Sequence, residues 1–271
     1  GFKNFRFAQI DIAEEGALER AAPAKDVTHI VHLAAQPGVR YSLEAPFAYE
    51  HANVKGHLAV LEYARTAPGL KHLVYASSSS VYGDRSDGPF RETDRCDEPA
   101  SLYAATKRAC EMMSYTYAHL FGLKSTGLRF FTVYGEYGRP DMAVWLFTES
   151  VMRGKPIRLF SEGQLKRDFT HVDDIAPAII ALMDLPPEKT PPHDIYNLGN
   201  SRPTIVLDLV RAIEKAVGKS AIIELAPPQK TEVTATFADH SRATAKFGFQ
   251  PKTTIEDGVP RFVDWYRQRY N

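Results

Sequence analysis

The segment from Lys71 to Lys107 constrains the fold more than any other part of this chain. Lys71-His72-Leu73-Val74-Tyr75-Ala76 is a short apolar run of strand type that ends in four consecutive serines, Ser77 to Ser80. After a polar loop, Ser101-Leu102-Tyr103-Ala104-Ala105-Thr106-Lys107 opens a helical pattern that reaches Phe121, and Ser125 to Phe131 is again strand-like. A strand that passes through a helix to another strand implies a right-handed parallel crossover, and repeated crossovers build an open, doubly wound α/β sheet. Hydroxyls at a strand's carboxyl end suit a ligand crevice, although serines there also serve as turn formers and caps. Tyr103 and Lys107 stand at i and i+4, on one side of the helix, so the ammonium favours the ionised phenol and makes Tyr103 a usable base near neutral pH. An aromatic anchor beside a surface lysine satisfies the same spacing.

Elsewhere the alternation continues. Phe5 to Ile10 has strand character, and Asp11 is placed to cap a helix beginning near Glu14. Val27 to Leu33 is a strand followed by small residues. Pro46 to Thr66 reads as one amphipathic helix with Phe47, Val54, Leu58, Leu61 and Ala64 as its apolar face. In the helix from Leu102 to Phe121 the apolar set is Ala105, Ala109, Met112, Met113 and Leu120. Further strands are expected at Ile157 to Phe160 and Ile195 to Leu198, and helices at Val206 to Val217 and Glu256 to Arg269. The proline-rich break from Pro186 to Pro192 points to a second, smaller lobe threaded through the first.

Composition excludes several classes. With 271 residues, 44% of them hydrophobic, the chain can bury one large core or two modest ones. Lys plus Arg and Asp plus Glu both number 33, so no overall field recruits nucleic acid or an anionic membrane. Cys96 and Cys110 are too few for a disulfide framework and lack metal-ligand spacing, which reads as free thiols in a reducing cytosol. No apolar run approaches the roughly 20 residues of a membrane helix. The expectation is a soluble cytoplasmic protein with no bound metal.

Five motifs occur in a telling order: HLAAQ from His32 to Gln36, VYASSSSVYGD from Val74 to Asp84, YAATK from Tyr103 to Lys107, LRFFTVYG from Leu128 to Gly135, and RDFTHVDD from Arg167 to Asp174. In them the chain resembles, over essentially its whole length, the extended short-chain dehydrogenase/reductases of the NAD-dependent sugar-nucleotide epimerase and dehydratase group. Within that group it is most similar to UDP-glucuronate 4-epimerases, through HLAAQPGVRYSLEAP, SLYAATK and RFFTVYGEYGRPDMA taken together. The resemblance implies a Rossmann-like NAD-binding domain at 1–135 plus 168–200 and a smaller sugar-nucleotide-binding lobe at 136–167 plus 201–271. It implies a catalytic set of Ser78, Tyr103 and Lys107. NAD would lie against Leu33, Ala34 and Ala35 after the strand, with Asp11 and Ile12 at its adenine, Asn53 helping to hold the site together, and Ala76, Tyr103, Lys107, Phe130 and Val133 completing the contacts. For a UDP-sugar, Ser78, Ser79, Ser80 and Thr132 would meet the sugar, Thr132 standing where many relatives carry Asn. Arg167 would bind the diphosphate bidentately. Arg158 and Phe160, with Gln229 and Glu232, would contact uridine, and Arg40 and Arg139 a glucuronate carboxylate. His32 and His171 belong to matched strand-end motifs and read as structural. The helices at 46–66 and 102–121 would pair across a homodimer.

Relatives open with a Gly-x-x-Gly-x-x-Gly turn that brings the NAD pyrophosphate to a helix amino terminus, and none of the 17 glycines here forms that pattern. The expectation is a chain without the first βαβ unit, roughly 30 or more residues, with an unpaired strand edge and weak NAD binding. The expected activity is NAD-dependent epimerisation at carbon 4 of a UDP-sugar, UDP-glucuronate to UDP-galacturonate, through a transient 4-keto sugar. A UDP-glucuronate decarboxylase of the same fold is the alternative, although those relatives carry Glu where Ser80 stands. A non-catalytic binding protein is the alternative from another class.

Overall fold

Apolar runs become strands only where a neighbouring run offers its backbone groups, and that condition decides which of the expected strands form. The computed structural model describes residues 2–85, 88–227 and 235–270. They make two compact units, one of residues 1–81, 96–128 and 183–195, the other of 82–95, 129–182 and 196–271. These units follow packing, whereas the division expected at 135/136, 167/168 and 200/201 is drawn by ligand role.

The first unit contains α1 (Ala17–Ala21), β1 (His29–His32), α2 (Tyr41–Glu44), α3 (Pro46–Tyr49), α4 (Gly56–Thr66), β2 (His72–Ser78), α5 (Leu102–Phe121) and most of β3 (Ser125–Phe130). The second contains β4 (Thr132–Tyr134), α6 (Ala143–Arg153), β5 (Pro156–Phe160), β6 (Lys166–His171) and nearly all of α7 (Val172–Met183). The chain then runs through β7 (His193–Leu198) into β8 (Pro203–Ile205), α8 (Val206–Val217), β9 (Ile222–Ala226), α9 (Ser241–Phe247) and α10 (Ile255–Tyr270). The principal sheet has the order β1-β2-β3-β7, with β1 at one edge. β1 and β2 run parallel in the register His29↔His72 to His32↔Tyr75, so the segments that follow them leave from one edge of the sheet. Gly127 in β3 is required by its neighbour, since a Cβ there would stand 2.6 Å from the Tyr75 hydroxyl, which instead meets His193 Nε2 at 2.9 Å.

Phe5 to Ile10 is not a strand. Among the described residues nothing pairs with it, and without ladder partners its β-type composition leaves Phe5 and Phe7 exposed. The expected single helix over 46–66 is also modified: a π-helical stretch, Glu50–Lys55, lies between α3 and α4. Its wider turn changes which residues face inward. The buried set is Tyr49, Asn53, His57, Val60, Leu61 and Ala64, while Phe47 is 84% exposed and Leu58 is also exposed, contrary to their placement in the core. α5 has the expected bounds, from a Ser101 cap whose Oγ accepts from the Ala104 N–H at 3.1 Å to Gly122 at φ 67. Its inward face, however, is largely polar: Thr106, Lys107, Cys110, Glu111 and Ser114 are buried beside Ala104 and Ala118, whereas Met112 and Leu120 of the expected apolar set are exposed.

The second unit buries a conventional apolar core. Ile157 and Leu159 of β5, Phe169 of β6, Leu209, Val210 and Ile213 of α8, and Val259, Phe262 and Val263 of α10 pack together. The alternation of β5 sends Ile157 and Leu159 inward and leaves Arg158 outward, with its guanidinium 6.0 Å from the Phe160 ring centroid. β4, β6 and β8 form a three-stranded sheet, and β5 pairs with β9 in parallel.

Candidate functional site

The first unit gathers the chemistry-bearing residues at the carboxyl edge of β1 and β2. Ser101 caps α5, so Tyr103 sits in its first turn, half-buried, with its ring edge-on to Tyr49 at 6.1 Å. One turn on, Lys107 is 5% exposed and its Nζ donates to the Ala76 carbonyl of β2 at 2.9 Å. Burial pushes the pKa of that ammonium down. An ammonium has three donors, so one anchors it to the strand and the others remain for a ligand. Ser78 ends β2, and its Oγ accepts from Ser80 Oγ at 2.9 Å and from the Ser80 N–H at 3.2 Å, leaving its own proton to donate. Ser79 and Ser80 follow on a 3-10 turn.

The loop after β1 is held from below. Asn53, 2% exposed in the π-helical stretch, accepts from the Gln36 N–H at 2.7 Å and donates to the Gln36 carbonyl at 3.1 Å and to Thr106 Oγ1 at 3.0 Å. Thr106 in turn donates to the Tyr103 carbonyl at 2.8 Å. Asn53 thereby ties the Ala34-Ala35-Gln36 loop to the turn that carries Tyr103, and both amide donors are spent on the protein. Tyr49 adds a second clamp through its hydroxyl, 2.7 Å from the Pro37 carbonyl and close to that of Gly38. Leu33 and Ala34 stay exposed. These small or exposed residues, together with the spare Lys107 donors, fit the nicotinamide and ribose end of a dinucleotide. Asp11 serves the turn before α1: its Oδ1 accepts from the Ala13 N–H at 2.9 Å and its Oδ2 meets His51 Nε2 at 2.7 Å. Those bonds, from His51 first and Ala13 second, hold its carboxyl below the usual range.

Beneath Lys107 lies a stack of imidazoles. His32 and His57 are 5.3 Å apart, and His57 Nε2 shares a hydrogen bond with Ser114 Oγ at 2.8 Å. Burial, and then the Lys107 ammonium, push His32 down to about 4; His57 is driven well below its ordinary value by burial, His32 and Lys107. Both are neutral structural groups at neutral pH. The Cys110 thiol donates to the Asn53 carbonyl at 3.3 Å and is pushed up to about 11 by burial, which makes it inert.

In the second unit Thr132 and Val133 lie on β4 and Phe130 ends β3, all half-buried. Arg139 stands in an exposed loop in a two-bond pair with Asp141, Nε to Oδ1 at 2.9 Å and Nη2 to Oδ2 at 3.2 Å. Arg167 donates to the Lys166 carbonyl at 2.8 Å. Arg40, in the first unit, is exposed beside α2. Gln229 and Glu232 lie outside the described residues. His171 is fully buried, its Nδ1 accepting from the Asp173 N–H at 3.2 Å, as a structural histidine does.

Sequence reasoning missed Tyr49, Thr106, Glu111 and Asp168. Glu111 continues the Tyr103 and Lys107 face by one more turn, which is the signal that was available. Asp168 lies inside RDFTHVDD: its buried carboxylate accepts from the N–H groups of Asn200, Ser201 (3.0 Å) and Ala238 (2.9 Å) and so knots three segments together. Burial raises its pKa, and those backbone bonds oppose the rise.

The model of the NAD-dependent epimerase/dehydratase family matches residues 2–199. A probable UDP-glucuronate 4-epimerase of Rhizobium meliloti is 43% identical over 98% of this chain and 82% of its own length. Among solved structures, a UDP-glucuronic acid 4-epimerase variant from Bacillus cereus, in complex with UDP-4-deoxy-4-fluoro-glucuronic acid and NAD, superposes with a TM-score of 0.90 at 31% identity, covering 99% of this chain and 83% of that one. A UDP-glucose 4-epimerase of Thermus thermophilus in complex with NAD reaches 0.90 at 29% identity, covering 99% and 87%.

Proposed function

The chain belongs to the NAD-dependent epimerase/dehydratase family, and on that premise we propose that it inverts carbon 4 of a UDP-sugar, converting UDP-glucuronate to UDP-galacturonate through a transient 4-keto sugar. One observation carries the reading. The Lys107 ammonium is pinned to the Ala76 carbonyl, two residues before Ser78, on the same helix that presents Tyr103 in its first turn. NAD, when bound, would supply the hydride acceptor for carbon 4 and, once reduced, the hydride donor.

The chain's own residues manage the proton. Tyr103 takes it from the carbon 4 hydroxyl, because the positive charge of Lys107 favours the phenolate. Ser78 donates to the reacting oxygen, its proton left available by the bond it accepts from Ser80. The spare Lys107 donors and Tyr103 hold the nicotinamide ribose, and Leu33, Ala34, Ala35, Ala76, Phe130 and Val133 line the same ligand. Asp11 and Ile12 lie at the adenine. Arg167 takes the diphosphate, Arg158 and Phe160 the uridine, and Arg139 with Arg40 the glucuronate carboxylate; Arg139 must then exchange Asp141 for the ligand. On this reading residues 1–135 plus 168–200 serve the dinucleotide and 136–167 plus 201–271 the sugar nucleotide. The exposed apolar side chains Phe47, Leu58, Met112 and Leu120, on or beside α4 and α5, favour a homodimer packed on those helices. No helix of the described residues is long and apolar enough to cross a membrane; the two free buried thiols favour a cytoplasmic location.

The test is to incubate the protein with UDP-glucuronate and NAD and to resolve the nucleotide sugars by chromatography. UDP-galacturonate is expected. A decarboxylated UDP-pentose as the main product would replace the reading by the decarboxylase, and unchanged substrate with NAD bound would remove it.

A further inference from the structure

Within the first unit, β2 and α5 are joined by two polar rungs. The first is the Lys107 Nζ bond to the Ala76 carbonyl at 2.9 Å. The second lies one residue along the strand and one turn along the helix, where Ser77 Oγ donates to Glu111 Oε1 at 2.6 Å. Glu111 is 1% exposed, and a carboxylate is buried that deeply only when its lone pairs are occupied. Its other oxygen accepts from Arg108 Nη1 at 3.0 Å, and Arg108 Nη2 stands 3.9 Å from Asp97 Oδ1 in the loop that leads into α5. The hydroxyl of Ser78, the next residue after Ser77, bonds among the described residues only within the serine run. The rungs therefore set where its hydroxyl stands relative to Tyr103.

We propose that Glu111 is a positioning residue for the Ser78, Tyr103 and Lys107 set: clamped between Ser77 and Arg108, its carboxylate fixes the end of β2 against α5. The proposal rests on the epimerase reading of that set and adds a residue to it. A glutamine at 111 keeps the shape but loses the charge: its oxygen can accept from Arg108 while its amide group meets Ser77 only as a donor, so the charge-assisted bond from Ser77 is exchanged for a weaker, reversed one. An alanine at 77 removes the same rung from the other side. Misplacement of a reacting group by about 1 Å costs on the order of a hundredfold in rate, and a partial loosening costs less.

The experiment compares wild type, Glu111→Gln, Ser77→Ala and the double variant for kcat and KM with UDP-glucuronate, alongside amide hydrogen exchange at Ser78 to Val81. Each single variant is expected to lower kcat about tenfold at unchanged KM and to speed exchange at that turn about tenfold. The double variant should be no slower than the worse single one, because both act on the same rung. Losses that multiply, a raised KM at unchanged kcat, or wild-type turnover with wild-type exchange would overturn the proposal. Should Glu111→Gln fail to fold, Ser77→Ala, the smaller change, decides by the same two readouts. A wild type that turns over no UDP-sugar would remove the functional reading alone; exchange at Ser78 to Val81 in the variants would still decide the brace, unchanged rates overturning it.

Discussion

The long helices of the two units bury different faces. In the first, the inward face of α5 is largely Thr106, Lys107, Cys110, Glu111 and Ser114, and the facing residues include Asn53, His57 and Ser77. In the second, α8 and α10 bury Leu209, Val210, Ile213, Val259, Phe262 and Val263 against β5 and β6. Apolar contacts are non-directional and tolerate small shifts, whereas each buried polar group must meet a partner at one distance and angle. A polar helix–sheet contact gives up some hydrophobic stabilisation and gains definition of position. That is the trade needed where a phenol, an ammonium and a serine hydroxyl must keep fixed places.

The comparison can be broken at several points. Its largest expected effect is on the apolar side: Phe262→Ala should lower the unfolding free energy by about 3–5 kcal/mol, measured by urea denaturation. A loss below about 1 kcal/mol would mean that the α8 and α10 contact does not hold the second unit together. On the polar side, acid is the probe. His32 and His57 have folded-state pKa values below their unfolded ones, so between pH 6.5 and about 4 the unfolded chain binds more protons and stability falls as pH falls. For His32 the difference corresponds to up to about 3 kcal/mol. His32→Gln should flatten melting temperature against pH in that window, and an unchanged slope would contradict the buried, neutral imidazole.

Smaller effects separate chemistry from architecture. Tyr103→Phe should leave the melting temperature near wild type and cut turnover by about a hundredfold, a barrier increase of about 2.7 kcal/mol. Near wild-type turnover would remove Tyr103 from its role. Arg139→Ala should weaken UDP-glucuronate by about 1.5–3 kcal/mol and hardly affect UDP-glucose, read as binding constants by calorimetry; equal losses would reassign Arg139 to the diphosphate or the loop. Ser101→Ala, which removes the cap beneath Tyr103, should cost about 1 kcal/mol of stability, and no loss would show that α5 is held by its rungs alone.

Much of this was open to a reader of the sequence. Strand-type runs ending in small or hydroxyl residues, the Tyr103 and Lys107 spacing and the Ser101 cap are local patterns, and β2, β3, α5, α8 and α10 formed within one or two residues of the expected bounds or on them. The periodicity of 46–66 misplaced Phe47 and Leu58 because it assumes a constant 3.6-residue turn, which the π-helical stretch breaks. Phe5 to Ile10 shows the converse: β-propensity without a pairing strand produced no strand.

By itself, the sequence determined the class of fold and the family, and it marked the side chains proposed to carry the chemistry, because these rest on residue type and short spacing. Only the tertiary structure decided that Lys107 is anchored to Ala76, that Asn53 spends its amide on Gln36 and Thr106, and that Glu111 meets Ser77. Those partners stand 31, 17, 53 and 34 residues apart in the chain. No periodicity reaches that far; the contacts exist because each polar group, once buried, must be satisfied by the partners the fold brings within reach.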